Sequence, residues 1–176
     1  MKTFLLSLYL ISFSFMLNAQ ALIPSFFWGS DSVIVYADSS SVKVLVTVID
    51  NPETEEFAEI EILSKSMQRF YVRIHNSPCV KFAEGWIEKG KCAVNLKTTN
   101  SIYNLPIEEW RYYVYDSPKD DIFRRYIYHD NLNTIEVPIM DYYKKWLKVQ
   151  LILKSGEKIE GWIKDYCPYI NGCEGM

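Results

Sequence analysis

Histidine is scarce in this chain of 176 residues, which has only His75 and His129. Exported hydrolases of the Ser-His-Asp or Cys-His type need histidine at defined places, and so do many zinc sites. His75 precedes Cys79 by four residues, but the spacing of this pair with Cys92 matches no familiar zinc signature. The sequence therefore predicts a protein that is not an enzyme and has neither a metal site nor a cofactor.

The chain also lacks an excess of positive charge. Its 19 Lys and Arg residues are outnumbered by 22 Asp and Glu residues, which gives a formal net charge of -3. Nucleic-acid binding needs clustered Lys and Arg, whereas here the two signs alternate as on an ordinary solvated surface. We therefore expect no nucleic-acid partner.

One long apolar run is present, at the beginning of the chain. The stretch MKTFLLSLYLISFSFMLNA, residues 1–19, has a single cation, Lys2, followed by apolar and hydroxyl residues and a small residue at its end. This pattern is typical of a cleaved signal peptide, and it is shorter than the roughly 20 apolar residues of a spanning helix. We expect a periplasmic or secreted mature chain with a net charge of -4 and no membrane span.

No segment after the signal keeps a helical apolar stripe over three turns, whereas strand-like runs are frequent. Breaks such as Asn76-Ser77-Pro78 follow several of these runs. The sequence therefore predicts an all-β fold of many short strands. The predicted strands are 41–49, 57–63, 69–75, 111–115, 123–128, 134–139, 146–154 and 158–163.

An internal repeat organises these strands. The word EGWI occurs at 84–87 and again at 160–163, and VIVYADS at 33–39 corresponds to YYVYDSP at 112–118. Tyr36 and Tyr115 are 79 residues apart, and Trp86 and Trp162 are 76 residues apart. Two matched modules are therefore predicted, at 30–97 and 110–176, with a polar connector at 98–109. Phe26, Phe27 and Trp28, in the short leader before the first module, are expected to pack on a module.

Four cysteines remain in the mature chain, Cys79, Cys92, Cys167 and Cys173. An even number in an exported protein predicts disulfides, although three pairings are possible. The repeat favours Cys79 with Cys92 and Cys167 with Cys173, which would place one disulfide in each module.

In the second module, the opening Val114-Tyr115-Asp116-Ser117-Pro118, the central Trp146-Leu147-Lys148-Val149 and the closing Gly161-Trp162-Ile163 resemble bacterial SH3-like (SH3b) domains of exported proteins. The first module matches only in outline, and the common Asn-Val-Arg opening of the family is absent from both. The resemblance implies two tandem small SH3-like β-barrels that act as binding modules for cell-wall peptides or glycans.

The resemblance also implies a groove between the long first loop and the turn before the later strands. The aromatic residues in or near those segments are Tyr36, Tyr115, Tyr142, Tyr143 and Trp146. Trp86 and Trp162, in the EGWI words, either close the core of a barrel or line the groove. Aromatic rings bind sugars and extended peptides with little loss of entropy, since they have few rotors.

The sequence analysis therefore predicts an exported, non-catalytic protein that binds cell-wall peptide or glycan. The alternative is an exported inhibitor, immunity-type or structural protein that binds a protein partner.

Overall fold

The computed structural model describes residues 22–28, 32–49, 57–78, 80–97, 106, 109–118 and 123–169. The predicted signal peptide, most of the predicted connector, Cys79 and Cys173 lie outside the described residues. The described part of the chain is all-β, which confirms the predicted class, and its only helical segment with defined bounds is a 3-10 turn at His129–Asn131. The strands are β1 Ile23–Phe27, β2 Ser32–Tyr36, β3 Val44–Ile49, β4 Glu59–Lys65, β5 Arg69–His75, β6 Phe82–Glu88, β7 Cys92–Leu96, β8 Arg111–Tyr115, β9 Phe123–Tyr128, β10 Glu136–Tyr143, β11 Trp146–Ile152, β12 Lys158–Ile163 and β13 Tyr166–Cys167.

These strands form one open antiparallel sheet in the order β3-β2-β6-β5-β4-β1-β7-β10-β11-β12-β8-β9, with β13 also paired to β7. Two groups of five strands have the same internal order within this path. We call β2–β6 unit 1 and β8–β12 unit 2. In each unit the first two strands form a hairpin, the last three form a meander, and the last strand pairs with the first.

The two units also share their irregularities. The opening hairpin has a register shift just before Tyr36 in unit 1 and just before Tyr115 in unit 2. The meander has a shift after Ile62 in unit 1 and after Ile139 in unit 2. Bulges bend a strand at one point, so their repetition gives both units the same local bends.

The repeated glycine has the same surroundings in both units. A Cβ atom on Gly85 would collide with the Val35 side chain and would lie 2.9 Å from the Tyr36 carbonyl oxygen. A Cβ atom on Gly161 would collide with Val114 and would lie 3.3 Å from the carbonyl oxygen of Tyr115. Glycine therefore lets the last strand of each unit approach the first strand closely.

Two further strands connect the units. β1 pairs with β4 through Ile23–Ser25 and then with β7 through Phe26 and Phe27. On its other edge β7 pairs with β10, and β13 also pairs with β7. Of the three leader residues predicted to pack on a module, Phe26 and Phe27 are buried and Trp28 is half-buried. A single core cluster spans both units.

Candidate functional site: an aromatic face on unit 2

An aromatic surface lies on the side of unit 2 that faces away from the core. Strand β11 buries every second residue, so Trp146 and Lys148 point outward while Leu147 and Val149 enter the core. Tyr143 pairs with Trp146 across the β10–β11 hairpin, and Trp162 pairs with both Lys148 and Tyr115. Since paired residues in antiparallel strands share a face, four rings come to the same side. We call Tyr115, Tyr143, Trp146 and Trp162 the aromatic face.

The rings of the aromatic face differ in exposure. Tyr143 is 40% exposed, Trp146 and Trp162 are half-buried, and Tyr115 is buried without belonging to the core cluster. Trp146 stands edge-on to Tyr115, with 4.9 Å between ring centroids and an interplanar angle of 82°. The exposed Lys164 holds its Nζ atom 5.2 Å from the Tyr115 ring and 5.3 Å from the Trp146 ring. This arrangement presents flat apolar surface and a cation at one place.

The equivalent position in unit 1 is covered by an arginine. Phe70 pairs with Ile87 in unit 1 as Leu147 pairs with Ile163 in unit 2. One residue further along each strand, Arg69 therefore corresponds to Trp146 and Glu88 to Lys164. The Arg69 guanidinium lies 3.7 Å from the centroid of the Tyr36 ring, and Tyr36 also contacts Glu88 through its hydroxyl at 3.4 Å. Arg69 is only 9% exposed, and its guanidinium donates hydrogen bonds to the carbonyl oxygens of Asp38 and Ser41. The chain's own arginine thus occupies the surface that a ligand of Tyr36 would need.

A charged network covers the rest of that face in unit 1. Trp86 is half-buried against Tyr71, whose hydroxyl donates a hydrogen bond to Glu84 at 3.1 Å. Arg73 donates to Glu84 at 2.7 Å and to Glu61 at 3.4 Å. The Arg73 hydrogen bond holds the pKa of Glu84 below its usual range. Trp86 and Trp162, the tryptophans of the two EGWI words, are both half-buried and outside the core cluster. Both lie on the outward faces of their units.

Tyr142, another predicted binding residue, lies between the two units. Its side chain is 7% exposed, its ring is 6.0 Å from Phe70, and Lys65 places Nζ 4.8 Å from its centroid. Burial raises the pKa of Tyr142. Lys65 also donates to the carbonyl oxygen of Tyr142 and forms an ion pair with Asp141 at 2.7 Å. Tyr142 therefore contacts both units and does not belong to the aromatic face.

The structure corrects the predicted disulfide between Cys79 and Cys92. Cys92 is a free thiol, fully buried in β7, and burial raises its pKa to about 12. Cys92 belongs to the core cluster and does not form a disulfide at the end of a module. Cys167 is disulfide-bonded, but Cys92 is not its partner. The pairing of Cys167 with Cys173 remains a prediction, since Cys173 lies outside the described residues.

The two histidines lie in separate places. His129 receives or donates a hydrogen bond with the Tyr112 hydroxyl at 2.8 Å, while His75 lies 3.9 Å from Glu61. Within the described ranges, no three His, Cys, Asp or Glu residues are grouped so as to hold a metal ion. None of the helical segments in those ranges is long and apolar enough to cross a membrane.

Sequence reasoning identified Tyr115, Tyr143, Trp146 and Trp162 as candidates, and the structure brings these four together. It did not identify Arg69, which covers Tyr36 in unit 1, or Lys164, which lies beside Tyr115 and Trp146 in unit 2. The alignment of RFYVRI with WLKVQL could have shown that unit 1 has an arginine where unit 2 has a tryptophan. Comparisons with protein-family models, with curated proteins and with solved structures give no match for this chain.

Proposed function

We propose that this protein is an exported, non-catalytic binding protein of two SH3-like modules, and that it binds cell-wall peptide or glycan through the aromatic face of unit 2. The main observation that supports this proposal is the aromatic face, with the outward rings of Tyr115, Tyr143, Trp146 and Trp162 beside Lys164. Sugar rings and extended peptides bind on such flat surfaces because ring stacking costs little side-chain entropy. Lys164 adds a positive charge that suits a carboxylate on the ligand.

The strand order of each unit supports the SH3-like part of the proposal. Five short strands, with a hairpin at the start, a three-strand meander and a final strand paired to the first, form a compact unit with one buried face. Small barrels close their sheets through this kind of pairing between the last and first strands. Both units repeat it, with glycine at the point of closest approach.

The two units are proposed to differ in binding. In unit 1 the Arg69 guanidinium covers Tyr36, the Tyr36 hydroxyl donates to Glu88, and the Tyr71 hydroxyl donates to Glu84. Displacing Arg69 would break its two hydrogen bonds to loop carbonyls, which raises the cost of binding there. A single site on unit 2, rather than two equal sites, is therefore the preferred form of the proposal.

The test is co-sedimentation of the mature, oxidised protein with purified peptidoglycan sacculi. We expect saturable binding by the parent and a loss of roughly tenfold or more in affinity for Trp146→Ala, as for a central aromatic residue of an interface. Phe82→Ala is the matched control, since Phe82 is 56% exposed and lies on unit 1. Tyr36→Ala should also retain binding.

Two results would contradict the proposal. A folded parent that does not sediment with sacculi would exclude wall binding. Equal losses for Trp146→Ala and Phe82→Ala would exclude the aromatic face as the site. Folding of each variant is checked first by circular dichroism.

A second candidate function is inhibition of, or assembly with, an exported protein. Strand β3, at one end of the sheet, is uncharged and exposes Val44, Leu45 and Ile49 to between 43% and 52%. Natural edge strands usually carry charges that discourage pairing with another chain. Capture of one protein by the immobilised parent, with no binding to sacculi, would favour this function.

A further inference from the structure

A cavity of about 470 Å³ is lined by residues of β1, β4 and β5 and of the segment after β13, and it shares no residue with the aromatic face. It is found beside the point where β1 stops pairing with β4 at Ser25 and begins pairing with β7 at Phe26. The residues that line it and matter for its chemistry are Phe26, Phe57, Glu59, Glu61, His75 and Tyr169. Its volume falls within the range of roughly 300 to 1,000 Å³ that is typical of small-molecule sites.

The wall of the cavity at Tyr169 is held in place by the fold. Asn95, which is 3% exposed in β7, donates its side-chain N–H to the carbonyl oxygen of Tyr169 at 2.6 Å. Strand β13, two residues earlier, pairs with the same end of β7 through Tyr166 and Cys167. Phe26, another lining residue, is 3% exposed and belongs to β1. The cavity thus lies between elements that strand pairing and hydrogen bonding have already fixed.

The acidic groups of the cavity are unequally neutralised. Glu61 lies 3.4 Å from the Arg73 guanidinium and 3.9 Å from His75, while Arg73 makes its shorter contact, 2.7 Å, with Glu84. Glu59 accepts a hydrogen bond from the neutral Asn76 amide at 3.2 Å, and no described cation lies within ion-pair distance of it. The exposed Glu59 carboxylate therefore gives the cavity a net negative charge beside aromatic walls.

We propose that this cavity binds a primary ammonium group carried on a short aliphatic chain, such as a lysine side chain. The carboxylate of Glu59 would accept hydrogen bonds from the ammonium, and the rings of Phe57 and Tyr169 would contact its methylene groups and attract its charge. The proposal does not depend on the function proposed for the aromatic face, because the two sites share no residue.

The experiment is a titration of the ¹⁵N-labelled mature protein with butylammonium chloride, followed by amide chemical shifts. We expect saturable shifts at Glu59, Glu61, His75 and Tyr169 at millimolar ligand. Butanol, which has the same chain without the charge, should bind at least about tenfold more weakly, as expected for loss of a charge-assisted hydrogen bond. Shifts that do not saturate, or equal binding of butanol, would overturn the proposal.

A pair of variants tests the assignment to Glu59. Glu59→Gln keeps the size of the side chain but removes its charge, and should weaken butylammonium binding by about tenfold. Glu157→Gln removes a charge from an exposed turn of unit 2 and should leave the affinity unchanged. Unaltered affinity in Glu59→Gln would overturn the proposal. Sedimentation with sacculi is measured on the same proteins, so that failure at the cavity and failure at the aromatic face are distinguished.

Discussion

At the scale of single residues, the repeated glycine makes a prediction that can be tested twice in one molecule. Gly161→Ala places a methyl group against Val114, and Gly85→Ala places one against Val35 and the nearer Tyr36 carbonyl. We expect each change to destabilise the protein by about 1–3 kcal/mol, as overpacking does. Urea denaturation measures the difference, with Ser155→Ala in an exposed turn as control. Parental stability in both glycine variants would contradict the close approach of the strands.

Some residues of the candidate site could be predicted from the sequence, and others could not. Tyr115 and Trp146 were selected, together with Tyr36 and Tyr142, by their position near the groove that the SH3-like resemblance implies. The alternation of β11 explains why Trp146 faces outward. Coverage of Tyr36 by Arg69 was not predictable, since it depends on a loop carbonyl 31 residues away in the chain. The even number of cysteines and the repeat predicted a disulfide at Cys92, and nothing in the local sequence indicates instead that this thiol is buried in β7.

At the scale of elements, the loop after β2 is organised by Asp38. Hydrogen bonds from the backbone of Ser40 and from Ser41 hold the pKa of Asp38 at about 2, below its ordinary value of 3.8. The same loop supplies the carbonyl oxygens that bind Arg69 over Tyr36. Because the folded-state pKa is depressed, the stabilisation is complete above pH 3.8 and is lost as the pH falls through about 2.

The prediction is therefore that the amide signals of Ser40 and Ser41 titrate with a midpoint near pH 2. A pH series of NMR spectra on the parent measures this midpoint, and Asp38→Asn should abolish the transition. A midpoint near the ordinary value of 3.8 would show that the loop does not retain Asp38 in this hydrogen-bonded form. In that case the loop would also not fix the Asp38 and Ser41 carbonyl oxygens that bind Arg69.

Elements with clear alternation were predicted well from sequence, while the connecting strands were not. The predicted bounds of β5, β8, β9 and β12 agree with the structure. Strand β7 reads CAVNL and is buried along its whole length, so it has no alternation of buried and exposed residues to detect. Strand β1 contains Pro24, a residue that sequence rules exclude from most sheet interiors.

At the scale of the whole molecule, the shared strands predict that the two units unfold together. Strand β1 pairs with both β4 and β7, and β7 pairs in turn with β10, so the core cluster is continuous across the units. The Asp141 carboxylate of unit 2 forms ion pairs with Lys65 and with Lys89, and Lys89 lies between β6 and β7. Burial acts to raise the pKa of Asp141, but the Lys65 hydrogen bond keeps it below its usual value.

Phe27→Ala tests this coupling, because Phe27 is 4% exposed in β1 and belongs to the shared core. We expect a loss of about 3–5 kcal/mol with one transition, the same by tryptophan fluorescence and by circular dichroism. Phe82→Ala, at an exposed position, should cost less than about 1 kcal/mol. Two separate transitions, with only unit 1 destabilised, would instead mean that the chain folds as two independent modules, at 30–97 and 110–176, joined by contacts that contribute little to stability.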